Sequence, residues 1–539
     1  MAALEKNNIY TARIEGYSSE GLGIARIDGQ VVFVHGAVRG ELCRILVMKV
    51  LKNAAFGKVT ELLESSPERR EPDCPYYGRC GGCDFRHLSY REELWAKRQR
   101  VQDALTRLGG SDVEVEEILG AADPLYYRNK SQYPVSAGKV GFYRARTHDV
   151  VDIEHCLIQK PQADAAAAAL RDYLRDFAVP SYDEKTGRGL LRHLYVRTNR
   201  RGESLVCVLA NGERLPHEEE LVGRLRRAVP DCVGVVLGVN TRRGNTILGE
   251  RYRTLWGADT LEDELCGLTF RLSVPSFYQV NRDQAEVLYR KAVEYAGLTG
   301  GELVVDLYCG AGTITQVMAG GAGRVIGAEI VPEAIEDARE NARRNGIENV
   351  EFFCGDAAQL AADFAGRGLR PDVICVDPPR KGLAPEVIAA AAQMAPQRVV
   401  YVSCDPGTLG RDVKRFAEYG YRVQRAAACD LFPGTRHVET ICLLSKLQSK
   451  EHIEIEVKMD ELDLTAAEKK ATYEEIKAYV LEHTGLKVSH LYIAQVKQKY
   501  GIIERENYNK PKSENAKQPQ CPPEKEMAIT QALKYFNMI

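Results

Sequence analysis

The sequence predicts a multidomain α/β protein. A Rossmann-like α/β domain at 276–447 is preceded by an OB-like β-barrel at 1–65 and a strand-rich central region at 66–275. Three observations carry this. From about residue 276 helical and strand patterns alternate, the mark of a parallel sheet covered by helices. Residues 8–64 hold short alternating stretches (IYTARIEGY, LGIARI, VVFVHGA, ELCRILVMKVL, FGKVTELL) broken by glycines, the pattern of a small antiparallel barrel. Between them, 125–260 is rich in strand-like runs such as LRHLYVRTN, SLVCVLANG, GVVLGVNT and NTILGE. A fourth segment, 448–539, is set apart by its lysine- and glutamate-rich composition.

Composition narrows the class of function. With 45% hydrophobic and 27% charged residues the chain reads as an ordinary globular protein. Lys+Arg total 73 against Asp+Glu 75, a formal charge of −2. No global basic field announces nucleic acid, although a local basic face is compatible with it. The opening MAALEKNNIYTARIEG has no apolar leader core, and no apolar run is long enough to span a bilayer. That predicts a cytoplasmic protein with no membrane partner. Fifteen cysteines are many for a reducing compartment, where persistent disulfides are rare, so metal or catalytic roles are expected for some.

After a polar linker, SSPERREPD at 65–73, the run CPYYGRCGGC supplies Cys74, Cys80 and Cys83. Thiolates this close on loop backbone suit an iron–sulfur cluster, which takes four cysteines. Zinc also favours Cys-x2-Cys, so three alone do not decide. Cys156, in VDIEHCLIQ, is the natural fourth ligand. A helix is expected over 89–108, SYREELWAKRQRVQDALTRL.

The α/β half carries its chemistry at strand ends. GELVVDLYCGAGTIT places Asp306 at the end of a strand, then a glycine-rich turn opening a helix, where backbone can approach a ligand closely. RVIGAEI ends in Glu329, placed to bind ribose hydroxyls; VEFFCGDA supplies Asp356 and DVICVDPPRKG supplies Asp377. A dinucleotide site would want G-x-G-x-x-G, and CGAGTIT lacks the last glycine. DLYCGAG followed by GAEI and GDA resembles the S-adenosylmethionine signature of class I methyltransferases. DPPR at 377–380 lacks the aromatic fourth residue with which amine methylases stack on a base. Carbon methylation instead needs a nucleophile.

VYVSCDPGTLGRD at 400–412 offers one. Cys404 sits where a buried strand runs out. The two readings are packing, since free cysteine is often buried, and a thiol nucleophile, which needs an electropositive and accessible setting.

Taken together these motifs resemble the bacterial RNA 5-methyluridine methyltransferases that modify 23S ribosomal RNA. The resemblance covers about 8–447: the barrel is similar to a TRAM domain, and CGGCDFRHLSY with YRNKSQYPV to the family's central region. SFYQVN, DLYCGAG, DPPRKG, VSCDPGTLGRD and FPGTRHVE match its catalytic motifs in order. The resemblance implies a class I methyltransferase domain in which Gln279, Tyr308, Thr313, Glu329, Asp356 and Asp377 line the S-adenosylmethionine site. It implies that Cys74, Cys80, Cys83 and Cys156 bind a structural, RNA-facing four-iron, four-sulfur cluster. Cys404 would be the nucleophile and Glu439 the general base. His437 competes for that role, since a strand there would turn 437 and 439 to one face, and the resemblance favours Glu439. Arg128, Lys130, Arg86 and His87 are candidate phosphate contacts. The implied protein is a monomeric enzyme acting on ribosomal RNA. The nearest alternative, a transfer-RNA enzyme, belongs to a group that typically lacks both barrel and cysteine cluster.

The tail departs from that pattern. TYEEIKAYVLEHTGLKVSHLYIAQVKQKYGI has helical periodicity, a Thr484-Gly485 break, then a second helical run with Lys487, Lys497 and Lys499. Either a helix-turn-helix-like module or a plain helical hairpin fits.

Overall fold

In the computed structural model the alternating stretches near the start become five strands: β1 (Ile9–Tyr17), β2 (Gly23–Ile27), β3 (Gln30–His35), β4 (Leu42–Val50) and β5 (Ala54–Glu64). They close into a barrel in the order β1-β2-β3-β5-β4. Ile14, Ala25, Val32, Val34 and Ile45 fill its interior, because successive strand residues point to opposite faces. The structure describes residues 4–244, 246–446, 473–500, 521–536 and 538, in two units, Met1–Gln448 and Ser449–Ile539.

The expected helix forms as α1 (Tyr90–Arg107), with the Ser89 hydroxyl accepting from the Glu92 amide as its N-cap. β6 (Ile118–Leu119) follows. The central region then builds β7 (Lys130–Ser136), β8 (Lys139–Tyr143), β9 (Val150–Asp152), α2 (Pro161–Asp176), β10 (Leu191–Thr198), β11 (Ser204–Ala210), α3 (Glu218–Ala228), β12 (Cys232–Val239) and β13 (Arg251–Gly257). Its seven strands run β13-β12-β11-β10-β7-β8-β9, with β11 and β12 parallel. NTILGE is not the strand its composition suggests. Residues 246–250 are irregular, and residue 245 lies outside the described residues. A hairpin of β14 (Thr260–Leu265) and β15 (Leu268–Ser273) leads into the α/β half.

That half contains α4 (Arg282–Ala296), β16 (Leu303–Leu307), α5 (Thr313–Ala319), β17 (Arg324–Glu329), α6 (Pro332–Arg344), β18 (Val350–Cys354), α7 (Ala357–Gly366), β19 (Val373–Val376), α8 (Pro385–Met394), β20 (Arg398–Ser403), α9 (Pro406–Glu418), β21 (Tyr421–Cys429) and β22 (Glu439–Lys446). The sheet order is β18-β17-β16-β19-β20-β22-β21-β6, with β22 antiparallel to both neighbours. Val305, Leu307, Ile374 and Tyr401 enter one core; Val304, Val373, Cys375 and Val400 enter the other. Burial on both faces explains why these strands read as unbroken apolar runs.

Two pieces from before residue 120 complete this half. β6 extends the sheet beside β21. Val101 and Leu105 of α1 join the same core as Leu409, Val413 and Phe416 of α9. The crossing requires Gly410: a Cβ there would lie 2.6 Å from the Ala104 carbonyl oxygen. The barrel is tied to the other side of α1, where Arg39 forms two 2.8 Å hydrogen bonds to Glu92 and lies over Trp95.

The second unit holds α10 (Tyr473–Thr484), α11 (His490–Lys499) and α12 (Pro523–Tyr535). Ile476, Val480, Ile493, Val496, Ile529 and Leu533 form its core. The break at Thr484-Gly485 is where expected, with Gly485 at φ 69°; the third helix makes this unit more than a hairpin. Among the described residues no helix is long and apolar enough to cross a membrane.

Candidate active site

The turn after β16 is the first half of the site. Tyr308 takes φ 71°, a conformation that a bulky side chain adopts only where its surroundings impose it. The amides of Tyr308 and Cys309 both donate to the Ala328 carbonyl, at 2.9 and 3.0 Å, which pins the turn onto β17. Gly312, at φ 76°, admits no side chain: a Cβ would lie 3.0 Å from Ala338 and Phe352. Gly310 faces open space instead, and its amide donates to Glu329 Oε2 at 3.1 Å. Glu329 Oε1 accepts from the Ile330 and Val331 amides at 2.9 and 3.0 Å. Asp356 lies two residues beyond β18 and caps α7, its Oδ1 accepting from Ala358 and Gln359 at 2.9 and 3.2 Å.

Gln279 lies in the loop before α4, where its carbonyl accepts from Asn129 Nδ2 at 2.9 Å. The Tyr289 hydroxyl, 3.1 Å from Thr313 Oγ1, also reaches the Gln279 side chain and so joins the two. Asp306 is fully buried. Thr315 donates to its Oδ2 at 2.5 Å while Oδ1 has no partner. Burial, with Asp377 and Glu329 adding to it, pushes the Asp306 carboxyl up to about 8. Tyr289 and Asp306 are absent from the donor-site residues named by motif. Tyr289 sits in an ordinary amphipathic helix with no local signal; Asp306 was visible as an acidic strand end.

The second half is built by strand register. β20 stops because Asp405 caps α9, accepting the Thr408 amide at 3.0 Å, and Pro406 occupies the first helical turn. Cys404 is left alone between strand and cap. In the ladder of β20 and β22, Ser403 pairs with Thr440. Cys404, just past the end of β20, and Glu439, the first residue of β22, therefore lie one position beyond that pair, and the Glu439 charge acts on the Cys404 thiol. Glu439 is 4% exposed, and burial, reinforced by Asp377 and opposed by Arg380, pushes its carboxyl up to about 8. Burial, then Glu439 and Asp377, push the Cys404 thiol up to about 12 against Arg380. Asp377, just past β19, is pushed up to about 7 by burial.

His437 does not share a strand face with Glu439. It precedes β22 in a loop, its amide donating to Thr435 Oγ1 at 3.2 Å. Burial and the guanidiniums of Arg380, Arg436 and Arg100 push it down to about 4, which leaves it neutral at pH 7.

Cys74, Cys80, Cys83 and Cys156 all line one cavity of about 250 Å³, and all four thiols are free. Among the described residues no three His, Cys, Asp or Glu side chains converge closely enough to hold a single metal ion. Burial raises Cys156 to about 11 and raises Cys83 as well, where the neighbouring Cys156, Cys80 and Cys74 add to it.

Two of the four candidate phosphate contacts are not at the surface. The Arg86 side chain is 9% exposed and bonds Asp73; His87 is 5% exposed, with Nδ1 2.6 Å from the Tyr77 hydroxyl. Lys130 is half-buried opposite Arg197 in the β7–β10 ladder and 5.8 Å from the Phe277 ring. Burial, Arg197 and Arg128 push Lys130 down to about 7. Arg128 lines the cysteine cavity.

Comparison with known proteins follows this geometry. Residues 258–447 match the family described as tRNA (Uracil-5-)-methyltransferase, and 4–60 match the TRAM domain. An "uncharacterized RNA methyltransferase" of Clostridium tetani (strain Massachusetts / E88) is 43% identical over 447 residues, 82% of this chain and 97% of the relative. One from Staphylococcus aureus (strain MW2) is 40% identical over 452 residues, 83% of this chain and 100% of its own. Among solved structures, the Pyrococcus abyssi tRNA (uracil-54, C5)-methyltransferase in complex with S-adenosyl-L-homocysteine aligns with a TM-score of 0.66 at 26% identity, covering 80% of this chain and 99% of that one. With the barrel matched by one family model, the α/β half by the other, and a relative 43% identical over 82% of the chain, the chain belongs to the RNA (uracil-5-)-methyltransferase family.

Proposed function

We propose that this protein transfers a methyl group from S-adenosylmethionine to C5 of a uridine in 23S ribosomal RNA, through a covalent cysteine–C6 adduct. The observation that carries it is that Cys404 and Glu439 stand one position past the Ser403–Thr440 pair, at the adjoining ends of β20 and β22, with Asp377 and Arg380 acting on both.

C5 of uracil is a poor nucleophile. Addition of the Cys404 thiolate at C6 passes the C5–C6 electron pair into an enolate with carbanion character at C5. S-adenosylmethionine supplies the electrophilic methyl group that C5 takes. Glu439 then accepts the C5 proton, the electrons return to the ring, and the C6–S bond breaks to release the thiolate. Splitting one hard step in two is the gain from covalent catalysis, and a positioned base contributes about 10²–10⁴-fold. Burial holds Cys404, Glu439 and Asp377 toward their protonated forms, with Arg380 opposing it at Cys404 and Glu439.

For the donor, the open face of Gly310 and the carboxylates of Glu329 and Asp356 fit an adenosine: Glu329 for the ribose hydroxyls, Asp356 for the adenine. Gln279, Tyr308, Thr313 and Asp377 complete the lining. The S-adenosyl-L-homocysteine complex of the Pyrococcus abyssi neighbour, which holds the demethylated form of that donor, supports this reading.

Four free cysteines lining one cavity are the donor type that a four-iron, four-sulfur cluster takes, and Cys74, Cys80, Cys83 and Cys156 would hold it. Anaerobically purified protein should contain iron and sulfide; zinc alone would overturn the cluster.

Transfer RNA is the second reading for the substrate, and one observation favours it: the archaeal transfer-RNA enzyme matches this chain over 99% of its own length. A chain of this extent is thus no bar to a transfer-RNA substrate. Mapping 5-methyluridine in both RNA classes from cells with and without the gene decides between them. The chemistry is tested on denaturing gels. Cys404→Ala should abolish methylation and give no RNA adduct, while Glu439→Gln should accumulate methylated, protein-linked RNA. Turnover by Cys404→Ala would falsify the mechanism.

A further inference from the structure

The segment that delivers Glu439, residues 430–438, has no helix or strand of its own and is largely buried. Backbone polar groups in such a place must find partners. They find them on one stripe of α1, at positions 90, 93, 97 and 100, the spacing of a single helical face. The Tyr90 hydroxyl donates to Asp430 Oδ2 at 2.8 Å. Lys97, 1% exposed, spends all three of its N–H groups: on Glu93 Oε1 at 2.6 Å, Asp430 Oδ1 at 2.6 Å and the Phe432 carbonyl at 3.1 Å. Glu93 Oε1 also accepts the Gly434 amide at 2.7 Å, and Arg100 donates to the Arg436 carbonyl at 2.9 Å. The cysteine loop closes the other side. The Asp84 and Phe85 amides donate to the Gly434 carbonyl at 2.9 and 3.0 Å, and Asp84 Oδ2 accepts the Arg436 amide at 3.0 Å.

A buried ammonium between two buried carboxylates is a poor source of stability, because desolvation offsets most of the attraction. What it fixes is geometry. We propose that Lys97, held between Glu93 and Asp430, is a positioning residue that sets the 430–438 segment so that Glu439 meets the C5 proton of the adduct. This rests on Glu439 being the base. Lys97 touches no reacting atom; it acts through the segment.

The consequence is selective. Addition by Cys404 and methyl transfer precede proton removal, so loss of positioning should slow only the last stage. Lys97→Met should lower kcat by roughly 10–10²-fold, with the RNA KM falling alongside it and donor affinity unchanged, and methylated adduct should accumulate on denaturing gels. General structural damage would lower adduct and turnover together. Adduct at the wild-type level in folded Lys97→Met overturns the proposal. Should Lys97→Met not fold, Tyr90→Phe removes the bond to Asp430, together with the one the Tyr90 hydroxyl accepts from the Ala121 amide, while leaving the buried charges paired. Adduct above wild type then supports the proposal, and adduct at wild type overturns it. Glu439→Gln is run alongside. If it traps adduct and the α1 variants do not, only the positioning role fails; if it traps none, the base assignment fails and takes this inference with it.

Discussion

The two halves of this site, at the carboxyl edge of one sheet, treat their acidic groups in opposite ways. At the donor edge, Glu329 accepts three backbone amides and Asp356 accepts two, so both carboxylates are fixed in place by the turns they stabilise. At the acceptor edge, burial drives Cys404, Glu439 and Asp377 each toward its protonated form, with Arg380 opposing it at Cys404 and Glu439. One half is a rigid receptor. The other is a set of groups that exchange protons during turnover in the proposed mechanism, and a base serves best with a pKa near the working pH. The same acidic residue type therefore does two jobs, and its surroundings decide which.

The largest break in that contrast should come from the acceptor side. Glu439→Gln should lower multiple-turnover methylation by about 10²–10⁴-fold and leave donor affinity, read by calorimetry, at the wild-type value. A matching loss of donor affinity would erase the distinction between the halves. Glu329→Ala is the converse. Losing charge-assisted hydrogen bonds worth about 1.5–3 kcal/mol should weaken donor binding by roughly 10–10²-fold, with RNA affinity intact. Unchanged donor affinity would count against Glu329 as a ribose ligand.

A smaller, graded effect should appear with pH. The Glu439 carboxyl, raised to about 8 in the folded protein, accepts a proton only once ionised. Below that value each pH unit raises the ionised fraction, so the rate of adduct breakdown, read in single-turnover experiments, should climb by about tenfold per unit and level off above it. A flat profile from pH 6 to 9 would remove Glu439 from the rate-determining protonation. The smallest effect is expected from the C-terminal unit. Every motif of the site precedes it and its core is its own, so ending the chain before Ser449 should leave methylation of a short RNA nearly unchanged. Loss of activity in that truncated chain would show that the second unit takes part.

The barrel and the α/β sheet were legible because their signals are local. Alternation every two residues marks the barrel strands, and apolar runs ending in acid or glycine mark the sheet. The same locality explains the misses. NTILGE has strand composition, yet the Glu250 amide instead donates to the Val239 carbonyl before β13 begins. His437 seemed placed like Glu439 because period two assumes a strand that starts only at 439. Arg86 and His87 read as candidate phosphate contacts, but the pairing of Arg86 with Asp73 and of His87 with Tyr77 cannot be seen from neighbours in sequence.

By itself the sequence determined the order of strands and helices and the chemistry at each strand end, because hydrophobic period and turn residues act over a few positions. Only the tertiary structure decided which acid stands beside the thiol. β22 enters antiparallel between β20 and β21, and that register sets Glu439 next to Cys404. A helix more than 300 residues earlier supplies Lys97 to the segment that carries Glu439. Protonation was decided there too: burial and the charges enclosed with each group set it, and both are properties of the packed volume rather than of any stretch of chain.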